Sequence, residues 1–209
     1  MQRIKTTEIL LESWNKTKDN FWVIVNAVLL SGLIFFVTNL IIQNVPKENV
    51  GLNLLACVLS GFIDALMMFL LIKFFIKIYN DQEVSVTGMF SEFKGFYNFF
   101  IIYTAINISA ITGLILLIIP GLYVIATYVF APYLCVDKGL GIQDSMQESE
   151  RITKGNKLEL LKFLSWIFII NAFGAVIFLV GLIITIPISF LSAIAVYKKL
   201  SEPSISETI

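Results

Sequence analysis

Asp64 lies near the middle of a long apolar run, in the stretch SGFIDALMMF, and is the one ionisable side chain at such depth. In hydrocarbon a carboxylate is costly, so this group must face protein or water, or be neutral. Ala56, Ser60 and Asp64 recur every four residues, which puts the acid on the small-residue face of a helix suited to close packing. Two chemistries fit. One is an ion- or proton-coupling site in a small transporter; the other is a hydrogen-bonded aspartate joining helices, through Asn107 or Asn171. Asn107 and Asn171 interrupt apolar runs of their own, as does Asn26. Such amides line polar routes or, more commonly, bond one helix to another.

Other chemistry is poorly supplied. The chain has no histidine, which excludes Ser-His-Asp catalysis and imidazole metal ligation. Cys57 and Cys135 stand in or at the end of apolar runs, with neither zinc nor disulfide-framework spacing, and read as small buried hydrophobes. No HExxH, GxSxG or P-loop motif is present. Asp144, Glu148 and Glu150 alternate with other polar groups as on a solvated face. No enzyme activity, metal or cofactor is expected, and 15 basic against 15 acidic residues gives no nucleic-acid character.

The elements that position these residues follow from composition. The 209 residues are 57% hydrophobic and only 14% charged, against about 25% charge in soluble domains. Residues 96–136 carry no formal charge; as helix they measure roughly 60 Å, about two crossings of a hydrocarbon core. The expectation is an all-α polytopic transmembrane bundle with the lipid bilayer as its solvent. Six spans are read: about 21–42, about 52–79, two from 96–136 split near Ile119-Pro120-Gly121, and two from 158–199 split between Gly181 and Pro187. The first span reads as an uncleaved anchor, since the apolar run is too long for a signal peptide. Six spans place Arg3, Lys5, Lys16, Lys18, Lys73, Lys77, Lys94, Lys138, Arg151, Lys154, Lys157, Lys162, Lys198 and Lys199 on one side, and only Lys47 on the other. The positive-inside rule makes the rich side cytoplasmic, with both termini there.

A polar phrase recurs before two spans: ESWNKTKDN at 12–20 and ESERITKGN at 148–156, sharing five of nine positions. Glu12–Lys16 and Glu150–Lys154 are spaced to pair along a helix. Leu10 with Trp14, and Ile142 with Met146, supply a narrow apolar edge. Lys18 and Lys154 suit a helix C-terminus. Asp19 and Gly155 then suit a left-handed break, and Asn20 and Asn156 suit the N-cap of the entering span. Thr17 and Thr153 complete this helix-break motif, but Ser149 and Thr153 receive no role from the sequence. A weaker copy is EFKGFYNFF at 92–100, with Lys94-Gly95 over Lys154-Gly155. Ile119-Pro120 also matches Ile186-Pro187, with Ala126 over Ala193. These matches suggest one membrane domain of three units, about 4–80, 84–138 and 140–200, each a surface helix plus a membrane hairpin. The tail 201–209 reads as disordered.

The segment from Ile119 to Asn156 resembles the YciC-like class of bacterial multi-pass membrane proteins, and the similar membrane domain fused to some glycerophosphodiester phosphodiesterases. The resemblance rests on Ile119-Pro120-Gly121, Phe130-Ala131-Pro132, Asp137 with Gly139, and Ser149, Thr153, Gly155 and Asn156, and it covers mainly residues 84–200. It implies a six-helix bacterial inner-membrane architecture and carries over no catalytic residue. The expected function is therefore non-catalytic: binding a membrane-protein partner or a second copy, or supporting membrane assembly. The alternative is a small transporter or permease component using Asp64.

Overall fold

The computed structural model describes residues 5–46, 48–91, 93–176 and 180–201. They form ten helices: α1 (Thr6–Asp19), α2 (Phe21–Gln43), α3 (Val50–Tyr79), α4 (Val86–Met89), α5 (Phe96–Leu116), α6 (Ile118–Tyr128), α7 (Ala131–Lys138), α8 (Ile142–Thr153), α9 (Lys157–Val176) and α10 (Val180–Ser201). Counting α6 and α7 as one interrupted rod, six are long and apolar enough to cross a membrane. The chain is an all-α polytopic helical bundle. Lys47, Arg3 and the tail 202–209 lie outside the described residues.

The six rods pair as three hairpins: α2 with α3, α5 with α6–α7, and α9 with α10. The second hairpin turns at Leu117, whose backbone is extended (φ −156°, ψ 127°). This corrects the expected turn at Ile119-Pro120-Gly121. Pro120 is instead the third residue of α6, where a missing N–H leaves no helical bond unmade. Gly121 then lets α5 come close: a Cβ there would stand 2.6 Å from the Leu114 backbone nitrogen. The split of the last hairpin also moves. α10 is already running at Val180, so Gly181 and Pro187 both lie inside it. Gly174 and Gly181 repeat the close approach of Gly113 and Gly121. Pro120 and Pro187 do not correspond, since one starts a helix and the other sits in a helix interior.

Packing is concentrated at one end. The buried hydrophobes are Ile24 to Val28 at the start of α2, Ala65 to Ile78 in the second half of α3, Phe99 and Ile102 at the start of α5, Ala126 to Cys135, Leu160 and Phe163, and Leu191 to Leu200. Apart from Ala110 in the second half of α5, the buried hydrophobes belong to the end where α1, α4 and α8 attach. Towards the other end large apolar side chains are exposed, from Leu29 to Phe62 and from Ile108 to Tyr123, as a lipid-solvated surface allows. In every hairpin the second rod is more buried than the first. Those second rods converge: Phe75 of α3 stacks on Phe190 of α10 at 4.9 Å between centroids, and Phe130 and Tyr133 pack on Tyr197.

The surface helices close this arrangement into a ring. α4 packs on α3, α8 on α6 and α7, and α1 on α10. Each therefore sits on the second rod of the hairpin before it, with α1 completing the circle. α4 is only four residues long, capped by the Ser85 hydroxyl, which accepts from the Gly88 N–H at 3.0 Å.

Candidate functional site

The intramembrane polar groups do not meet at one place. Asp64 is half-buried on α3, at the seam with α5. Tyr103 of α5 lies within electrostatic reach of Asp64, and its hydroxyl faces the Asn107 amide. That amide also donates to the Tyr103 carbonyl, at 2.8 Å, within its own helix. Asn171 belongs to a different seam. It joins α9 to α10 by donating to Ser189 Oγ at 2.6 Å, while also bonding the Ile167 carbonyl at 2.9 Å. Asn26 faces outwards. Asp64 thus faces Tyr103 of α5, Asn107 is exposed and bonds within α5, and Asn171 is apart from both. Among the described residues no group of three metal-ligating side chains occurs.

At the attached end the recurring phrase takes a form partly different from expectation. Gly155 is left-handed (φ 83°), and so is Gly95 before α5 (φ 89°). A Cβ at either would meet nothing within 4 Å, so backbone conformation alone favours glycine there. In the first copy there is no such break. Asp19 is the last residue of α1 and Asn20 has φ −114°, because α2 follows directly and needs only a bend. Asn20 does not cap α2; its amide donates back to the Lys16 carbonyl at 3.2 Å, closing α1 instead. Asn156 is buried with its amide oxygen unpartnered, so it does not cap the next span either.

The charge pairs differ too. Lys16 bonds Asp81 at 2.6 Å, tying α1 to the end of α3, and it also lies over the Tyr79 ring. Arg151 Nε and Nη2 donate to Glu148 at 2.6 and 2.7 Å, with Lys138 at 3.8 Å. Neither Glu12–Lys16 nor Glu150–Lys154 carries the pairing: Lys16 takes the distant Asp81, and along α8 the pair formed is Glu148–Arg151 instead. The Arg151 hydrogen bonds hold the Glu148 carboxyl below its ordinary range, overcoming partial burial. A lowered folded-state value gives stabilisation that is present at neutral pH and lost as pH falls through that value. The difference in melting point between wild type and Glu148→Gln is accordingly expected to shrink towards zero on acidification from pH 7 to below about 4. Thermal melts across that range check it.

No family model, curated protein or solved structure matches this chain. What the end of the bundle does is therefore read from its own contacts.

Two sets of residues there were missed or left unassigned by sequence reasoning. The buried edge of α1 is Ile9, Ser13 and Thr17, and that of α8 is Ser145, Ser149 and Thr153 with Ile152. Trp14 is exposed, and Ile142 and Met146 only flank the core. Ser149 Oγ donates to the Thr127 carbonyl at 2.9 Å, and Thr153 Oγ1 lies 3.2 Å from the same oxygen while donating to the Ser149 carbonyl of its own helix at 2.8 Å. Thr127 is in the last turn of α6, where helical carbonyls lose their own N–H partners. Pro132 helps to break the rod there, and α8 supplies the donors. Ser13 meets Ser192 of α10 at 2.9 Å, so the equivalent position of the first copy docks the equivalent helix. The signal was in the phrase itself. Serine and threonine four apart were among its matched positions, and small polar residues at that spacing allow close docking. Ser149→Ala with Thr153→Val is expected to cost about 1–2 kcal/mol, from the lost Ser149 bond and a stranded carbonyl. The matching exposed double, Gln147→Ala with Lys154→Ala, should be near neutral in the same denaturation assay.

The second missed set is Asp137, Tyr197 and Lys198. Tyr197 Oη and Lys198 Nζ both donate to Asp137 Oδ2, at 2.7 and 2.8 Å. Tyr197 is fully buried. This bridge fastens the end of α7 to the end of α10.

Proposed function

We propose that the chain is a non-catalytic multi-pass protein of the bacterial cytoplasmic membrane, with both termini cytoplasmic. In this reading it binds a membrane-protein partner or a second copy of itself, or supports membrane assembly. The observation that carries the reading is the separation of the polar groups within the spans. Asp64 lies at one helix seam, Asn107 is exposed on α5 and Asn171 joins another seam, whereas a transport route asks for such groups to line one path. The three surface helices, each seated on a neighbouring hairpin, make a broad polar face with a lysine-rich margin. Such a face suits contacts at the headgroup layer. The YciC-like resemblance and the three-unit organisation belong to the same proposal. The ring of surface helices and the paired glycines of the second and third hairpins support the latter. Isolation of the tagged protein from native membranes should recover a stoichiometric partner or a stable homo-oligomer. Recovery of a monomer alone, from mild detergent and native lipid, would count against this reading.

A second reading is favoured by one observation, the half-buried position of Asp64 beside Tyr103. There the chain is a small transporter or permease component with Asp64 coupling protons. In proteoliposomes Asp64→Asn would then abolish a proton-linked flux while leaving the fold intact. Under the partner-binding reading the same variant folds, melts close to wild type and retains its partner.

A further inference from the structure

We propose that a cleft between α6, α8 and the start of α9 binds the phosphate of an anionic glycerophospholipid at the headgroup layer. The cleft, about 470 Å³, is lined by Tyr123, Gln147, Glu150, Arg151, Lys154 and Lys157. Three cations line it with one carboxylate; Glu148 pairs with Arg151, so Lys154 and Lys157 against Glu150 supply the surplus that favours an anion. The walls are fixed rather than loose, because Ser149 pins α8 to the Thr127 carbonyl one turn along from Tyr123, with buried Thr153 packed beside it. Lys157 Nζ stands 3.8 Å from the centre of the Tyr123 ring, a cation–π contact that holds the ammonium at the cleft wall. Arg151 is oriented by its two bonds to Glu148. Lys154 is exposed at the end of α8. Gln147 adds a neutral donor and acceptor suited to glycerol hydroxyls or ester oxygens.

Position selects lipid over a soluble anion. Tyr123 belongs to a membrane-spanning rod and is 53% exposed. Leu122 and Ile119 of the same rod, and Leu158 beside Lys157, are also exposed apolar groups. A ligand here meets cations at one end and hydrocarbon at the other, which is the layout of a phospholipid. Tyrosine at the interface, with a lysine reaching to the phosphate level, is how spans are anchored. The cleft adds convergence of three cations on one volume. This inference does not rest on the partner-binding reading, since a scaffold and a transporter would both retain such a lipid.

The test is native mass spectrometry of the full chain in mild detergent, titrated with phosphatidylglycerol, phosphatidylcholine or inorganic phosphate. Wild type should retain one phosphatidylglycerol in clear preference to phosphatidylcholine. Lys154→Ala with Lys157→Ala should weaken that adduct about tenfold, and the Arg–Arg double should restore it. Lys154→Glu, altering only an exposed side chain, should weaken it without touching the fold. A control pair, Lys18→Ala with Lys162→Ala, removes the same charge elsewhere and should leave the adduct in place. Equal weakening by the control would overturn the proposal in favour of diffuse attraction. Equal retention of phosphatidylcholine would show that headgroup charge is not read. Displacement of the lipid by millimolar phosphate would make this a soluble-anion site and overturn the lipid assignment.

Discussion

Asp137→Ala is expected to lower the melting point of the detergent-solubilised protein by about 5–10 °C, from a loss of about 2–3 kcal/mol. Asp137 Oδ2 is the shared acceptor for the Tyr197 hydroxyl and the Lys198 ammonium. Removing it strands both donors, and Tyr197 has no route to water because it is fully buried. Breaking a buried ion pair by deleting one partner costs about 3–5 kcal/mol. The lower figure applies here because the Lys198 side chain retains 28% exposure and can turn to solvent. Asn in place of Asp keeps an acceptor and loses the charge, so it should fall between alanine and wild type. Tyr197→Phe removes one bond and leaves the ion pair, at about 1 kcal/mol. The pairwise coupling follows from a double-mutant cycle of Asp137→Asn with Tyr197→Phe. A melting point for Asp137→Ala within 1 °C of wild type would show that the bridge contributes nothing net.

The second large effect is steric. At Gly181 a Cβ would stand 2.5 Å from the Gly174 carbonyl oxygen and 2.7 Å from its Cα. At Gly121 it would stand 2.6 Å from the Leu114 nitrogen. Backbone atoms cannot rotate aside as a side chain would, so the two rods must separate. Separation forfeits dispersion contacts along the hairpin, which are the main attraction between helices in lipid. Gly181→Val and Gly121→Val are each expected to cost about 3 kcal/mol, at the upper end for overpacking. Gly32 and Gly61 form a built-in comparison, for an added Cβ meets nothing within 4 Å at either. Alanine at those positions should be neutral or stabilising by about 0.5–1 kcal/mol, through helix propensity. If all four glycines respond alike, the close approaches are not what holds the hairpins.

The class of the fold was legible in the sequence because lipid leaves so few options. Long uncharged runs must be helices that satisfy their own backbone, so six rods followed from apolar length alone. Where rods end was less legible. Pro120 looks like a turn residue, but the first turn of a helix also accepts proline, and the glycine packing of Gly113 on Gly121 fixed the reversal nearer Leu117. The pairing of charges was hidden for another reason. Spacing along one helix offers Glu12 to Lys16, but Asp81, 65 residues away, takes that lysine. For Asp64 depth and helix face were legible but not its neighbour, since Tyr103 reads as one more apolar-run aromatic. Ser149 and Thr153 were visible as a matched pair and unreadable in purpose, because their acceptor is a backbone carbonyl that carries no mark in the sequence.

The seating of α1 on α10 has a consequence for biogenesis. Ser13 meets Ser192 across 179 residues of chain, so α1 is synthesised well before the helix it docks on. At about 5–20 residues per second, the two are roughly 10–40 s apart in synthesis. Throughout that interval the α10 seat of Ser13 is missing. Only a chain made through α10 can supply that seat. The contact thus records synthesis past α10, and a product stalled before it leaves Ser13 without its partner.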